Sequence, residues 1–395
     1  MGRFKSQPEF LYHLILWAVL SSCDGLRVSF DEIPSQTISL SYESANGMDG
    51  NLGVSLSVVP STLTTTGDAI ASCTSSPALP SWASLDSSTC VISGTPNATL
   101  PPTTYTITAS NSTGSGSAQV ALTVCPIGYS SVPSSTNFGV SAFCVARFEM
   151  KCSGVNCPTG TPGAGAIAIS QANNTPWVNI SFTNAQLACD NLNSLWGVSN
   201  KFDLISNPEW MTIASEIEKT PSNWLGQIVG TNLIPRGHSD GNPNAALEVT
   251  NNLDPYDGTG NSSSSGMDQR RIFQLSNNEY IWDFAGNVSE WVDWSYGGAL
   301  DLGPITCPLS WVEFFDVSCS ETIPGQEYQP LNPAGVSENY GSSYGLGLFR
   351  GGSGGAATRG GRWANGSFSG IYTNSLQNSS TTATIHLGFR CVFRH

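Results

Sequence analysis

The sequence predicts two folds in series, an all-β sandwich followed by an α+β domain with long irregular loops. Three observations predict this. Residues 28–124 carry short apolar/polar alternations broken by Ser, Thr, Gly and Pro, with no helical run. Two helically patterned segments then lie between Thr183 and Ile217. After residue 225 regular patterning is sparse, and long unpatterned loops in a compact domain are usually functional or tied down. Only 11% of residues are charged, but 11 Trp, 11 Tyr and 16 Phe can build cores. The net charge of −14 argues against nucleic acid, which needs Lys and Arg to neutralise phosphates, and favours neutral or cationic ligands.

The elements follow in order. Arg3 and Lys5 precede an apolar run from Leu11 to Leu20, too short to span a bilayer comfortably, so residues 1–22 read as an export signal. Leu20-Ser21-Ser22-Cys23 resembles a bacterial lipobox, which implies cleavage before Cys23, lipidation of its thiol and a short tether over residues 23–27. Val54, Leu56 and Val58 alternate, as do Tyr105, Ile107 and Ala109, then Val120, Leu122 and Val124. A hundred residues of such strands is the size of an immunoglobulin-like domain. Leu79-Pro80-Ser81-Trp82, Leu85-Asp86 and Ile92-Ser93-Gly94-Thr95-Pro96 resemble the immunoglobulin/cadherin-like spacer domains of bacterial surface proteins.

Cys125-Pro126 marks the boundary of a second domain, residues 125–395. Phe143 to Met150 reads as a strand with alternating faces. A first helix is expected from Thr183, with Gln186 completing a capping box. A second is expected from Asn207 as N-cap and Pro208 at the first helical position. Trp210, Ile213, Ala214 and Ile217 give it one buried stripe.

Ten cysteines besides Cys23 are an even number in an exported chain, so oxidised pairs are the default. Cys73 and Cys90 pair with each other or not at all. Cys152/Cys157 and Cys307/Cys319 are local pairs, and Cys125 and Cys144 flank a hairpin. The alternative for the two local pairs is metal binding, against which stands the lack of a nearby His. Cys189 and Cys391 remain.

Ile281-Trp282-Asp283-Phe284-Ala285-Gly286-Asn287-Val288-Ser289-Glu290-Trp291, two Arg-Gly-Gly steps at Arg350 and Arg359, and Leu387-Gly388-Phe389-Arg390 together resemble the sulfatase-modifying-factor family of the formylglycine-generating enzyme. The resemblance covers roughly residues 126–395 and implies a variant of the C-type lectin fold. It also implies a Cys189–Cys391 bridge between the first helix and the last strand. That enzyme oxidises a substrate cysteine with copper and two active-site cysteines. Counting from Arg350 puts Ala356 and Gly361 at their positions; counting from Arg359 puts Asn365 and Gly370 there. No thiolate is available for copper(I), so copper chemistry is not expected. Iron is not expected either, since no His-x-x-x-His spacing exists. The resemblance does imply calcium, held by the Asp283 and Glu290 carboxylates with the Gly286 and Val288 carbonyls. Asp254, Asp257 and Asn261 form another oxygen-rich loop, read as a turn.

The segment Arg359–Val392 also resembles the variable region of retroelement-diversified ligand-binding proteins. That likeness implies a binding face built from Trp363, Asn365, Ser367, Phe368, Tyr372 and Asn374. The expected protein is therefore an envelope-anchored, adhesin- or receptor-like lipoprotein. It would bind a cell-surface glycan, peptide or protein, with a membrane contact through its lipid. The alternatives are an enzyme of the same family with altered chemistry and a purely structural envelope protein.

Overall fold

The computed structural model describes residues 37–43, 48–155, 157, 162, 165–259, 268–294, 309–317, 327–336, 339–352 and 355–395. The signal, Cys23, the tether, Asn261, Cys307 and Cys319 lie outside the described residues. Among those residues no helix is long and apolar enough to cross a membrane.

An immunoglobulin-like β domain comes first. Its spine is the antiparallel pair Leu100–Asn111 and Gly114–Cys125. The connecting turn forms because the Asn111 side-chain oxygen accepts from the Thr113 and Gly114 amides. Met48–Asn51 pairs parallel with the second strand and Ser72–Ser76 antiparallel with the first, giving a four-stranded sheet. A three-stranded sheet of Leu56–Val58, Ile92–Gly94 and Ala83–Leu85 completes the domain's larger sheets. Ile107, Ala109, Val120 and Leu122 bury between them with Val58, alternates that the patterning marked, and with Ile92, whereas Val54, also marked, is exposed before its strand begins. Asp86 forms the tight turn before Ile92, its carboxylate accepting from the Ser88 and Thr89 amides; those bonds hold its pKa well below the usual carboxylate range.

The second domain is α+β. Tyr129–Val132 pairs with Phe143–Ala146, which pairs with the final strand Cys391–Arg394, which pairs with Phe202–Leu204. The chain's end thus lies between two of its earlier strands. Phe143–Ala146 is buried on both faces rather than alternating, because it is an inner strand with core on each side. Helix α1 (Phe182–Trp196) is capped by Ser181, one residue before the helix begins, and not from Thr183. Helix α2 (Asn207–Lys219) is capped by Ser206, with Glu209 returning the capping box; Asn207 is already helical. In both cases the serine immediately upstream supplies the oxygen that accepts from an N-terminal amide. Trp210, Ile213, Ala214 and Ile217 all bury, as expected, but α2 is enclosed nearly all round and also buries Glu209, Glu216 and Glu218.

Four bridges join Cys73 to Cys90, Cys125 to Cys144, Cys152 to Cys157 and Cys189 to Cys391. The last ties α1 to the final strand. A six-stranded sheet lies beyond, in the order Trp311–Val312, Phe349–Arg350, Asn374–Ser379, Gly355–Arg359, Ser289–Val292, Leu387–Phe389. It carries part of each of the three segments on which the family resemblance rests.

Candidate functional site

The loop expected to hold calcium has another occupation. Asp283 sits at a left-handed backbone position (φ 53°) and is buried. Both of its carboxylate oxygens accept from Arg271, Nε and Nη2 each donating at 2.7 Å. Glu290 is enclosed in the same manner by Arg390, at 3.1 and 2.7 Å. Glu149 lies beside them, accepting from the Val288 amide and from the Asn287 side chain. The fully buried Lys151 ammonium joins this cluster, with its pKa pushed down to about 8 by burial. Burial also raises the Glu149 and Glu290 pKa values.

The cluster therefore sets three carboxylates (Glu149, Asp283, Glu290) against three cations (Lys151, Arg271, Arg390). With all six ionised, their charges cancel. A calcium ion would add two charges within a few ångströms of two guanidinium groups, where low polarity strengthens repulsion. With both carboxylates held by guanidinium groups, the residues as they stand do not fit the calcium expected at Asp283, Gly286, Val288 and Glu290. The loop's backbone is fixed instead by Gly286 (φ 77°), where an added Cβ would fall 2.4 Å from the His238 carbonyl oxygen. In the other acidic loop, Asp257 accepts from the Thr250 and Asn251 amides, which is a turn as expected. The one described metal-like group, Cys125, Cys144 and His395, offers no thiolate because both sulfurs are in a disulfide.

The six residues expected on the binding face separate into two sets. Trp363 is buried, its indole donating to Asn244 and its ring packed 4.6 Å from His386. Tyr372 is buried with its hydroxyl on Glu218 at 2.7 Å. Asn374 is buried with neither amide atom hydrogen-bonded. All three are buried; for Asn374, β-sheet alternation turns it and Leu376 inward while Ser375 and Gln377 are more exposed. Asn365, Ser367 and Phe368 remain accessible, and Phe368 stacks on Trp311 at 5.6 Å.

Asn365 lines a depression of about 210 Å³ on the open face of the six-stranded sheet. Arg350, Arg362, Ser375, Gln377, Asn378 and His386 also line it, with the Trp311 ring at its rim. Sequence reasoning missed most of these. Of the lining residues it placed only Asn365 on the binding face; Trp311 and Arg350 are brought in by strand order. At the positions of the family's catalytic cysteines stand Ala356, buried in its strand, and Gly361, or else Asn365 and Gly370. An added Cβ at Gly370 would lie 2.2 Å from the Leu346 carbonyl carbon, so no larger residue fits there.

Other depressions are larger: one of about 650 Å³ lies at the Asp86 turn of the first domain, and two in the second domain have several polar groups engaged. In one, of about 710 Å³, Arg147 pairs with Glu279 and Arg270 caps the Ser222 and Asn223 carbonyls. In the other, of about 530 Å³, Asn207 holds Arg359 and Glu327 holds Trp294. The 210 Å³ depression differs: no acceptor holds the Arg362 guanidinium among the described residues, and His386 Nδ1 is unpaired.

Comparison with known proteins agrees with this architecture. The model of the Putative Ig domain family matches residues 38–125, and that of the Sulfatase-modifying factor enzyme 1-like domain matches residues 108–395. No curated protein matches. Among solved structures, Treponema denticola variable protein 1 is similar at 15% identity over 68% of this chain and 92% of that one, with a TM-score of 0.32. The Major Tropism Determinant P3c variant is similar at 13% identity over 68% of this chain and 53% of that one, with a TM-score of 0.26. A SusE-like surface-located polysaccharide binding protein from the Bacteroides thetaiotaomicron heparin utilisation locus is similar at 12% identity, with a TM-score of 0.19. This chain covers 29% of that protein, and the match spans 34% of this chain.

Proposed function

This chain belongs to the sulfatase-modifying factor enzyme 1-like family, and we propose that its second domain binds a ligand without covalent chemistry. The observation that carries this reading is the 210 Å³ depression, whose floor is hydroxyls and amides and whose Arg362 is unspent. Residues 350–370 contain no cysteine, so the copper-thiolate chemistry of the family's founding enzyme has no ligands here. The immunoglobulin-like domain acts as a spacer, and lipidated Cys23 holds the whole at a bacterial envelope.

Three measurements test the parts separately. A glycan and cell-surface binding screen of the full chain should give a ligand, and Ser375→Trp, which fills the depression, should abolish its binding without shifting Tm. Retained binding in that variant would place the site elsewhere. A cysteine-containing sulfatase peptide incubated with protein and copper should stay unmodified by mass spectrometry; aldehyde formation would overturn the non-catalytic reading. Cys23→Ser should leave the detergent phase on partitioning, and normal partitioning would end the lipoprotein reading.

A further inference from the structure

Arginines in this chain have acidic companions almost everywhere. Arg271 and Arg390 pair with Asp283 and Glu290, Arg147 with Glu279, and Arg394 with Asp203 and Glu209. Arg236, Arg270 and Arg359 feel Glu313, Asp268 and Glu327 respectively. That is the expected outcome when 29 acidic residues accompany 15 basic ones. Arg350 and Arg362 are the exceptions among the described residues, and both line the same depression. Neither forms a salt bridge there, and no carboxylate lines the wall.

Arg350 is held in place. Its Nε donates to the Leu309 carbonyl at 3.0 Å and its guanidinium lies 5.6 Å over the Trp311 ring, so its other nitrogens remain for a ligand. The pKa of Arg362 is lowered by burial and then by the charge of Arg350 facing it. Two like charges held together in a protein of net charge −14 are an unfavourable arrangement that an anion would relieve. Guanidinium groups suit this task, because their planar forks match carboxylate and sulfate oxygens.

The rest of the wall narrows the ligand. Gln377 and Asn378 offer donors and acceptors, and Ser289, Thr358 and Thr373 offer hydroxyls. Such groups pair with ring hydroxyls. A volume of about 210 Å³ suits a single sugar ring. Resting on the ligand-binding reading above, we propose that this depression binds the acidic residue of an anionic glycan, with Arg350 and Arg362 gripping its carboxylate or sulfate.

The test uses the full chain and four probes at about 0.15 M salt, where screening suppresses long-range repulsion between protein and polyanion. The probes are oligogalacturonate, dextran sulfate, neutral dextran and a hexaglutamate peptide. Calorimetry should show binding to at least one acidic glycan and none to dextran. Preference for oligogalacturonate or for dextran sulfate separates carboxylate from sulfate recognition. Arg350→Gln with Arg362→Gln should weaken binding about tenfold or more, with Tm unchanged, while Lys201→Gln should leave affinity unaltered. Stronger binding of hexaglutamate, unchanged affinity in the double variant, or no binding to any probe would overturn the proposal. A neutral glycan from the screen whose binding Gln377→Ala abolishes would also overturn it, while leaving the ligand-binding reading intact.

Discussion

The two domains stabilise a folded backbone by different chemistry. In the immunoglobulin-like domain the long strand pair satisfies its own carbonyls through the ladder, and the core is aliphatic with Tyr42 and Tyr105. Among its described residues Asp49, where the domains meet, is the one carboxylate whose pKa burial raises. The second domain has long loops whose carbonyls have no ladder. Buried side-chain donors cap them instead. Arg390 serves Ala146 and Trp282, Arg271 serves Glu248 and Asp257, and Arg359 serves Tyr372 and Glu327. The indoles of Trp210, Trp224 and Trp291 each donate to a loop or helix-end carbonyl. Irregular backbone can be buried only when such donors are supplied, since an unpaired carbonyl is costly. The charged core follows from that need, because each arginine brought inside requires a carboxylate.

The largest expected effect separates the domains by cross-link. Cys189–Cys391 spans 202 residues and Cys73–Cys90 spans 17. Chain-entropy estimates give about 5 kcal/mol for the first and about 3 for the second. Paired Cys→Ser variants compared by urea unfolding should show that order. An equal or reversed order would mean that the irregular domain does not depend on its long-range tie.

Next comes the charged core. Arg390→Met should cost about 3–5 kcal/mol, because Glu290 is left buried and unpaired. Ile107→Val in the first domain should cost about 0.5–1.5 kcal/mol. A double Arg390→Met, Glu290→Met variant should recover part of the loss but stay below wild type, since the Ala146 and Trp282 carbonyls remain uncapped. Full recovery in chemical denaturation would remove the carbonyl-capping argument.

A smaller effect lies where the domains meet. Asp49 accepts from Asn277 of the second domain, and burial pushes its pKa up from 3.8 to about 6. A raised carboxyl pKa favours the fold while the group is protonated. Its contribution is fully present below about pH 3.8 and is lost as pH rises through about 6. Asp49→Asn should therefore raise stability at pH 7, by no more than about 3 kcal/mol, and change it little at pH 3.5. Melting curves showing a loss at pH 7 would instead mark the ionised form as the stabilising one.

The smallest expected effect is none. With Arg271 and Arg390 already on Asp283 and Glu290, chelator should leave Tm unchanged. A chelator-sensitive melt that Asp283→Ala removes would restore the metal site.

The alternation of Tyr105, Ile107 and Ala109, the stripe of α2 and the family motifs were legible because local periodicity and short motifs report local burial. The same motifs say less about the surroundings of Asp283 and Glu290. A motif specifies a loop's backbone, whereas its partner cations come from Arg271 and Arg390, which lie 12 and 100 residues away. Trp363, Tyr372 and Asn374, expected on the binding face, are buried: contact chemistry is written in residue types, while facing is set by how the segment folds back on the rest of the domain.

By itself, the sequence determined the order of the two domains, the family of the second and the absence of thiols at the family's catalytic positions. These depend on residue identity and short-range spacing. Tertiary structure alone decided which charges meet. The net charge of −14 pointed toward neutral or cationic ligands, yet the strand order of the six-stranded sheet gathers Arg350, Arg362 and His386 around one depression. Net charge sums over the whole chain, but a ligand responds to the few groups within a Debye length, and only folding chooses those.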